Sequence, residues 1–173
     1  MQEFKNGKLL FSNQEIKHSI HKLALSLQKK YANQKVVFCP LMTGAIPFAG
    51  ELLQQLSELD LYLTYAHFTR YLNNKPLSQG VFKYKPSRDE VLNQHVLLVD
   101  DIFDEGITIG EVKKEFLKMG AKTVESIVLL YKELGQLTKP DFFALKAPGE
   151  YVFGFGLDSN SNYRNLPDIY KFK

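Results

Sequence analysis

Residues 95–112, HVLLVDDIFDEGITIGEV, constrain the fold more than any other stretch. A β-branched and leucine run, His95–Val99, reads as a buried strand that stops at two carboxylates, Asp100 and Asp101. Asp104 follows, then the turn Glu105-Gly106-Ile107-Thr108. Ile109, Val112, Phe116 and Met119 then fall at helical spacing before Gly120. A buried strand feeding a helix through a short turn is a βα unit, and the rest of the chain repeats it. Ser12 and Glu15 form a capping box ahead of Ile16, Ile20, Leu23 and Leu27. Val36–Cys39 reads as a strand, Pro40–Gly44 as a turn, and the stretch through Leu53 and Leu56 as a helix. Leu61–Phe68, Ser126–Tyr131 and Tyr151–Leu157 read as further strands. The alternation predicts an α/β fold with a mostly parallel central sheet and flanking helices. One segment departs from it. Tyr71–Glu90, rich in Asn, Pro, Lys and Arg, reads as a long polar loop with a hairpin strand at Val81–Tyr84.

At 173 residues and 45% hydrophobic composition, a single domain spanning 1–173 with a substantial core is expected. The 22 basic and 19 acidic residues leave a net charge of +3, too little for a counterion-driven nucleic-acid binder. The lone Cys39 excludes an internal disulfide and a cysteine-based zinc cluster, and its apolar neighbours Val36, Val37 and Phe38 suggest a buried thiol. MQEFKNGKLLF does not read as a secretory leader. No apolar run approaches the ~18 residues of a membrane helix. The expectation is a cytoplasmic protein with no membrane or nucleic-acid partner.

The acidic turn carries the chemistry. In open α/β sheets ligands bind outside the C-terminal ends of the strands. A turn opening a helix offers free backbone N–H groups and the positive end of the helix dipole, which suit a phosphate. Gly106 permits close approach and the Thr108 hydroxyl adds a donor. Three carboxylates beside a phosphate repel it unless sugar hydroxyls or Mg²⁺ compensate, so a phosphorylated sugar fits better than a bare phosphate. The plain alternative, a helix cap, needs only one such residue.

The stretch VLLVDD-IF-DEGIT resembles the phosphoribosyl-diphosphate (PRPP) binding motif of the type I phosphoribosyltransferases, and implies their fold, including a small hood beside the sheet. The ordered succession IVLLYK, KPDFF, YVFGFGLD and NYRNLPDIY is similar to the hypoxanthine–guanine branch of that family. CPLMTGAIPFAGELL resembles its pyrophosphate loop, and HFTRY the start of a mobile catalytic loop at about 71–90. The resemblance implies that Asp100 and Asp101 hold the ribose hydroxyls and help hold Mg²⁺. Asp104 would be the general base at purine N7, with Glu105, Gly106, Ile107 and Thr108 around the 5′-phosphate. Lys132 would donate to the 6-oxo group, Tyr151 stack on the purine, and the Val152 backbone read its edge. Asp158 would support a Mg²⁺ bound to pyrophosphate. Leu41, Met42, Thr43, Gly44 and Arg164 would contact the pyrophosphate, and Arg70 and Tyr71 would close over the site. Taken alone, Lys132 reads as a solvated strand-end lysine, and Asp158 and Arg164 as a surface ion pair.

Two residues depart from the family pattern. Glu105 stands where Thr or Ser is usual. A carboxylate ~4 Å from a phosphate costs several kcal/mol at intermediate dielectric, so Glu105 is expected to point away. Met42 replaces an often basic residue, leaving backbone contacts there. The implied activity is purine salvage, transfer of the phosphoribosyl group of PRPP to hypoxanthine or guanine, with Mg²⁺ as cofactor. The implied assembly is a homodimer or homotetramer. A xanthine-preferring transferase and a non-catalytic PRPP-sensing regulator on the same fold are the alternatives.

Overall fold

The computed structural model describes residues 7–72 and 75–172. In chain order the elements are β1 (Gly7–Phe11), α1 (Asn13–Tyr31), β2 (Lys35–Pro40), α2 (Ile46–Gln54), β3 (Asp60–Leu63), β4 (His67–Leu72) and β5 (Lys75–Tyr84). There follow α3 (Arg88–Val91), β6 (His95–Phe103), α4 (Ile107–Lys118), β7 (Thr123–Lys132), β8 (Phe142–Ala147), β9 (Val152–Phe153) and β10 (Ile169–Phe172). The central sheet has the order β3-β2-β6-β7-β8 and is parallel throughout. The antiparallel sheet β1-β10-β9 forms a small hood.

Alternation along the central strands sorts their side chains into two cores. Val36, Phe38, Leu97, Val99, Ile127 and Leu129 pack with α1 and α2 on one face. Val37, Cys39, Val96, Leu98, Val124 and Val128 pack with α4 on the other. Burial on both faces is the usual condition of a parallel sheet. The Ser12–Glu15 capping box opens α1, with Glu15 accepting from the Ser12 backbone N–H at 2.8 Å. Cys39 is a free buried thiol, and burial, with the Glu90 charge adding to it, pushes its pKa up to about 12. It is an inert core residue.

Four expectations are corrected. β6 does not stop at the carboxylates; it pairs with β7 as far as Phe103 opposite Tyr131, so Asp100 and Asp101 lie within the strand. The stretch Leu61–Phe68 divides into β3 and the start of β4, and Tyr151–Leu157 keeps only two strand residues before turning at Gly154–Leu157. The polar loop at 71–90 is largely an antiparallel ribbon, β4 with β5, followed by α3. Phe68 and Phe82 pack at 4.7 Å and rest on Phe116 of α4, and Tyr84 stacks on Tyr65 at 4.2 Å. The strand read at Val81–Tyr84 is the end of β5; Pro76 and the run Ser78–Gly80 break the period-two signal before it. Asn73, Asn74 and the Tyr71 side chain lie outside the described residues.

Asp141, just before β8, ties that edge strand to β7. It accepts from the Ser126 backbone N–H at 2.7 Å and hydroxyl at 2.8 Å, and it pairs with Lys113 of α4. Burial works to raise its pKa, but the bonds from Lys113 and Ser126 outweigh it and hold the carboxyl below its ordinary range. A depressed carboxylate contributes stability above its unfolded pKa, and that contribution is lost as pH falls through the folded value. Asp141→Ala also leaves the buried Ser126 donors unpaired. A loss of about 1–3 kcal/mol at neutral pH is expected, shrinking toward acid. Thermal melts of both proteins from pH 7 to pH 3 check it; a Tm difference independent of pH would refute the charge argument.

Candidate active site

The strand order places the site. From β2 the chain steps outward to β3, while from β6 it steps the other way to β7 and β8, so the crevice lies at the C-terminal ends of β2 and β6. Beyond β2, the Leu41 N–H donates to Val99 O at 2.8 Å and the Met42 N–H to Ala66 O at 2.8 Å, pinning the turn 41–44 to the sheet. The Met42–Thr43 peptide in that turn is cis. Gly44 abuts Asp101 so closely that a Cβ there would lie 1.9 Å from Asp101 Oδ2. At the end of β6, Gly106 has φ +77° and caps α4, where a Cβ would meet Phe103 Cζ at 2.3 Å. Only glycine takes that left-handed conformation in that space without strain. The first N–H groups of α4 therefore open onto the crevice.

Two cavities adjoin there. One, of about 410 Å³, is lined by Leu41 to Gly44, Lys132, Tyr151, Val152, Leu157, Asp158 and Arg164. The other, of about 570 Å³, is lined by Thr69, Arg70, Leu77 and Glu105 to Ile109. Both share a wall of Phe68, Asp100, Asp101, Ile102, Asp104 and Thr108. Every residue singled out from the sequence lines one of the two, except Tyr71, whose side chain is not described. Glu105 is exposed and shares the larger cavity with Arg70.

The floor is acidic. Burial pushes the Asp100 carboxyl well above the ordinary carboxylate range, and the neighbouring Asp101 charge adds to this. Burial also raises Asp101, against the opposing pull of Arg164, whose Nη1 is 3.9 Å from Asp101 Oδ2. Two such carboxylates resist joint ionisation unless a cation or hydroxyl donors face them. Arg164 Nη2 pairs with Asp158 at 2.6 Å, and Nη1 donates to Gly156 O at 2.5 Å. The ion pair named as the plain alternative for Asp158 and Arg164 thus exists, but it lies inside the cavity.

Lys132 is not the solvated strand-end lysine its position suggests. Its side chain is 7% exposed, and its Nζ donates to Asp104 Oδ2 at 3.0 Å. Tyr151 is 55% exposed and anchored by its hydroxyl, which donates to Asp158 O at 2.8 Å. A half-open ring held over a cavity is a stacking platform. Gln136, which sequence reasoning missed, donates to the backbone carbonyls of Asp104 and Lys132. A lone amide in a polar loop carries no sequence signal. Arg70 approaches Glu111 of α4 at 3.9 Å, and the same carboxylate accepts from the Gly80 N–H at 3.2 Å, holding both strands of the ribbon to the helix.

Among the described residues no cluster of three acidic, His or Cys side chains closes into a metal cage. Asp100, Asp101 and Asp158 nonetheless offer carboxylate oxygens on one cavity wall. Such a set suits Mg²⁺, which takes one or two carboxylates and completes its shell with phosphate and water oxygens. No helix among the described residues is long and apolar enough to cross a membrane.

The phosphoribosyl transferase domain family matches residues 7–160. The hypoxanthine-guanine phosphoribosyltransferase of Streptococcus pneumoniae is 32% identical over 168 residues, covering 94% of this chain and 91% of that protein. That of Bacillus subtilis is 29% identical over the same shares. The solved hypoxanthine phosphoribosyltransferase of Staphylococcus aureus superposes with a TM-score of 0.89 at 22% identity, covering 100% of this chain and 95% of that one. The Trypanosoma cruzi enzyme in complex with the product IMP gives 0.85 at 23% identity, covering 96% and 94%.

Proposed function

The chain belongs to the phosphoribosyltransferase family, and from that premise we propose that it joins a 6-oxopurine, hypoxanthine or guanine, to the phosphoribosyl group of PRPP. The products are the nucleoside monophosphate and pyrophosphate. The observation that carries the choice of base is the buried Lys132 ammonium beside Asp104 in the cavity that Tyr151 overhangs. An ammonium only donates, so it favours a 6-oxo over a 6-amino group.

In this reading the 5′-phosphate lies against the N–H groups of Gly106 to Thr108 at the head of α4, in the larger cavity. Asp100 and Asp101 accept from the ribose hydroxyls. Pyrophosphate lies by the turn 41–44, with Arg164 reaching it from its place between Asp101 and Asp158. Asp100, Asp101 and Asp158 would help hold a Mg²⁺, which when bound would supply neutralising charge for the departing pyrophosphate. The bond from ribose carbon 1 to pyrophosphate oxygen breaks with its electron pair on oxygen, and purine N9 bonds to that carbon. Asp104 takes the proton from N7. Lys132 leaves Asp104 to meet the 6-oxo group, so the arriving base both frees the carboxylate and claims the ammonium. The β4–β5 ribbon, carrying Arg70 and Tyr71, covers the activated sugar and excludes water. A homodimer or homotetramer in the cytoplasm is the expected state.

The test is incubation with PRPP and Mg²⁺ and, separately, hypoxanthine, guanine, xanthine and adenine, with chromatographic detection of monophosphate. Hypoxanthine and guanine should be converted. Adenine used as well as either would overturn the assignment, and no product from any base would return the regulator alternative.

A further inference from the structure

Gln136 occupies a position that none of the roles above explains. The β6–β7 ladder ends with Phe103 opposite Tyr131. The next residue on each strand is the one whose side chain the reaction needs, Asp104 on one and Lys132 on the other. Gln136 bridges the two strands where their own pairing has stopped. Its Nε2 donates to Asp104 O at 2.9 Å and to Lys132 O at 2.6 Å, while its Oε1 accepts from the Leu134 N–H at 2.7 Å. The orientation of the amide is fixed by its partners. A backbone N–H must face the oxygen, and two carbonyls must face the NH₂ group. Every polar atom of the side chain is used, and two of its three bonds hold the main chain of the proposed base and of the proposed base-reading lysine.

That bridge bears directly on geometry. Purine N7 and O6 lie on the same edge of a rigid ring, so the carboxylate and the ammonium that meet them must be held at one separation. Before the base arrives they pair at 3.0 Å, and no further β6–β7 rung fixes the backbones from which they reach it. A misplacement of ~1 Å in such a pair can cost ~10²-fold in rate. We infer that Gln136 is a positioning residue that sets the spacing of Asp104 and Lys132 and thereby the reading of the purine's N7/O6 edge. The inference rests on the proposed reaction and adds to it the residue that aligns its two chemical groups.

The bridge makes no bond to the turn 41–44, to Asp158 or Arg164, or to the N–H groups of Gly106 to Thr108. Its loss should therefore affect PRPP far less than the purine. Gln136→Glu separates the amide's two halves, since it keeps an acceptor for Leu134 N–H and loses both donations to the carbonyls. Gln136→Ala removes all three bonds. Both variants should lose about 10- to 100-fold in kcat/KM for hypoxanthine and guanine, while the Mg²⁺–PRPP dissociation constant by calorimetry stays within about twofold. Tm is recorded alongside. A Gln136→Glu enzyme as active as wild type would overturn the inference, because the donations to Asp104 and Lys132 would then be dispensable. Equal losses of purine turnover and PRPP affinity would also overturn it, since they would mark a general structural role. Wild type is assayed in parallel. If it turns over no purine, the proposed reaction falls and the inference with it, whereas active wild type beside unchanged variants defeats the inference alone.

Discussion

Asp104→Asn should lower kcat by about 10²–10⁴-fold while leaving Mg²⁺–PRPP affinity nearly unchanged. The range is that of a lost general base, about 3–5 kcal/mol of barrier. The structure explains why the loss should be confined to chemistry. Asp104 follows the last β6–β7 register pair, and among the described residues its carboxylate hydrogen-bonds only Lys132. Its backbone carbonyl is held independently, by Gln136. The amide keeps the size of the side chain and an oxygen that still accepts from the Lys132 ammonium, so the turn proposed for the 5′-phosphate has no reason to move. It cannot take a proton from N7. The substitution leaves the buried Lys132 ammonium without its charged partner, so a lower Tm is expected as well. Steady-state kinetics beside PRPP calorimetry decide the matter. A variant with near-normal kcat would reduce Asp104 to a counter-ion for Lys132 and require another base.

The readability of this site from sequence follows the kind of signal each part emits. The acidic strand end and the helix it feeds were legible because β-branched burial, carboxylates and a glycine turn come consecutively in the chain. The environment of Lys132 was not. Its burial comes from elements distant in sequence, with Asp104 28 residues away, so a strand-end lysine reads as solvated. The extension of β6 through Asp100 to Phe103 was hidden for a related reason. Aspartate is rare in strands, and here pairing with β7 overrides that local preference. Of the ribbon at 67–84, the strand read at Val81–Tyr84 lies within β5, but the earlier part of β5 was read as loop because Pro76, Ser78, Gln79 and Gly80 interrupt its apolar residues. The contact of Gly44 with Asp101 was invisible as well, since nothing in either segment says that the turn after β2 meets the end of β6 so closely.

That contact supports the second large expectation: Gly44→Ala should weaken Mg²⁺–PRPP binding by roughly 30- to 1,000-fold, about 2–4 kcal/mol. The added Cβ would lie 1.9 Å from Asp101 Oδ2, 2.8 Å from its Cγ and 3.1 Å from Arg164 Nη1. Something must move, and both directions are obstructed. The Asp101 side chain is 14% exposed and stands between Asp100, Gly44 and Arg164, so turning away costs it the orientation proposed for the ribose hydroxyls. The turn cannot retreat freely either. On its far side Gly156 packs so tightly that a Cβ there would be 2.2 Å from Gly44 O. The Leu41 and Met42 N–H bonds to Val99 and Ala66 hold the same turn to the sheet. One methyl group thus displaces either Asp101, the proposed ribose clamp, or the turn 41–44 proposed for pyrophosphate, and both belong to the PRPP half of the proposed site. Asp104 and Lys132 stand apart from the clash, so turnover at saturating PRPP should fall much less than affinity. Calorimetry of PRPP binding and kcat at saturation separate the two. Unchanged affinity would show that the turn yields and that glycine is dispensable there; an equal collapse of kcat would show that the strain reaches the base.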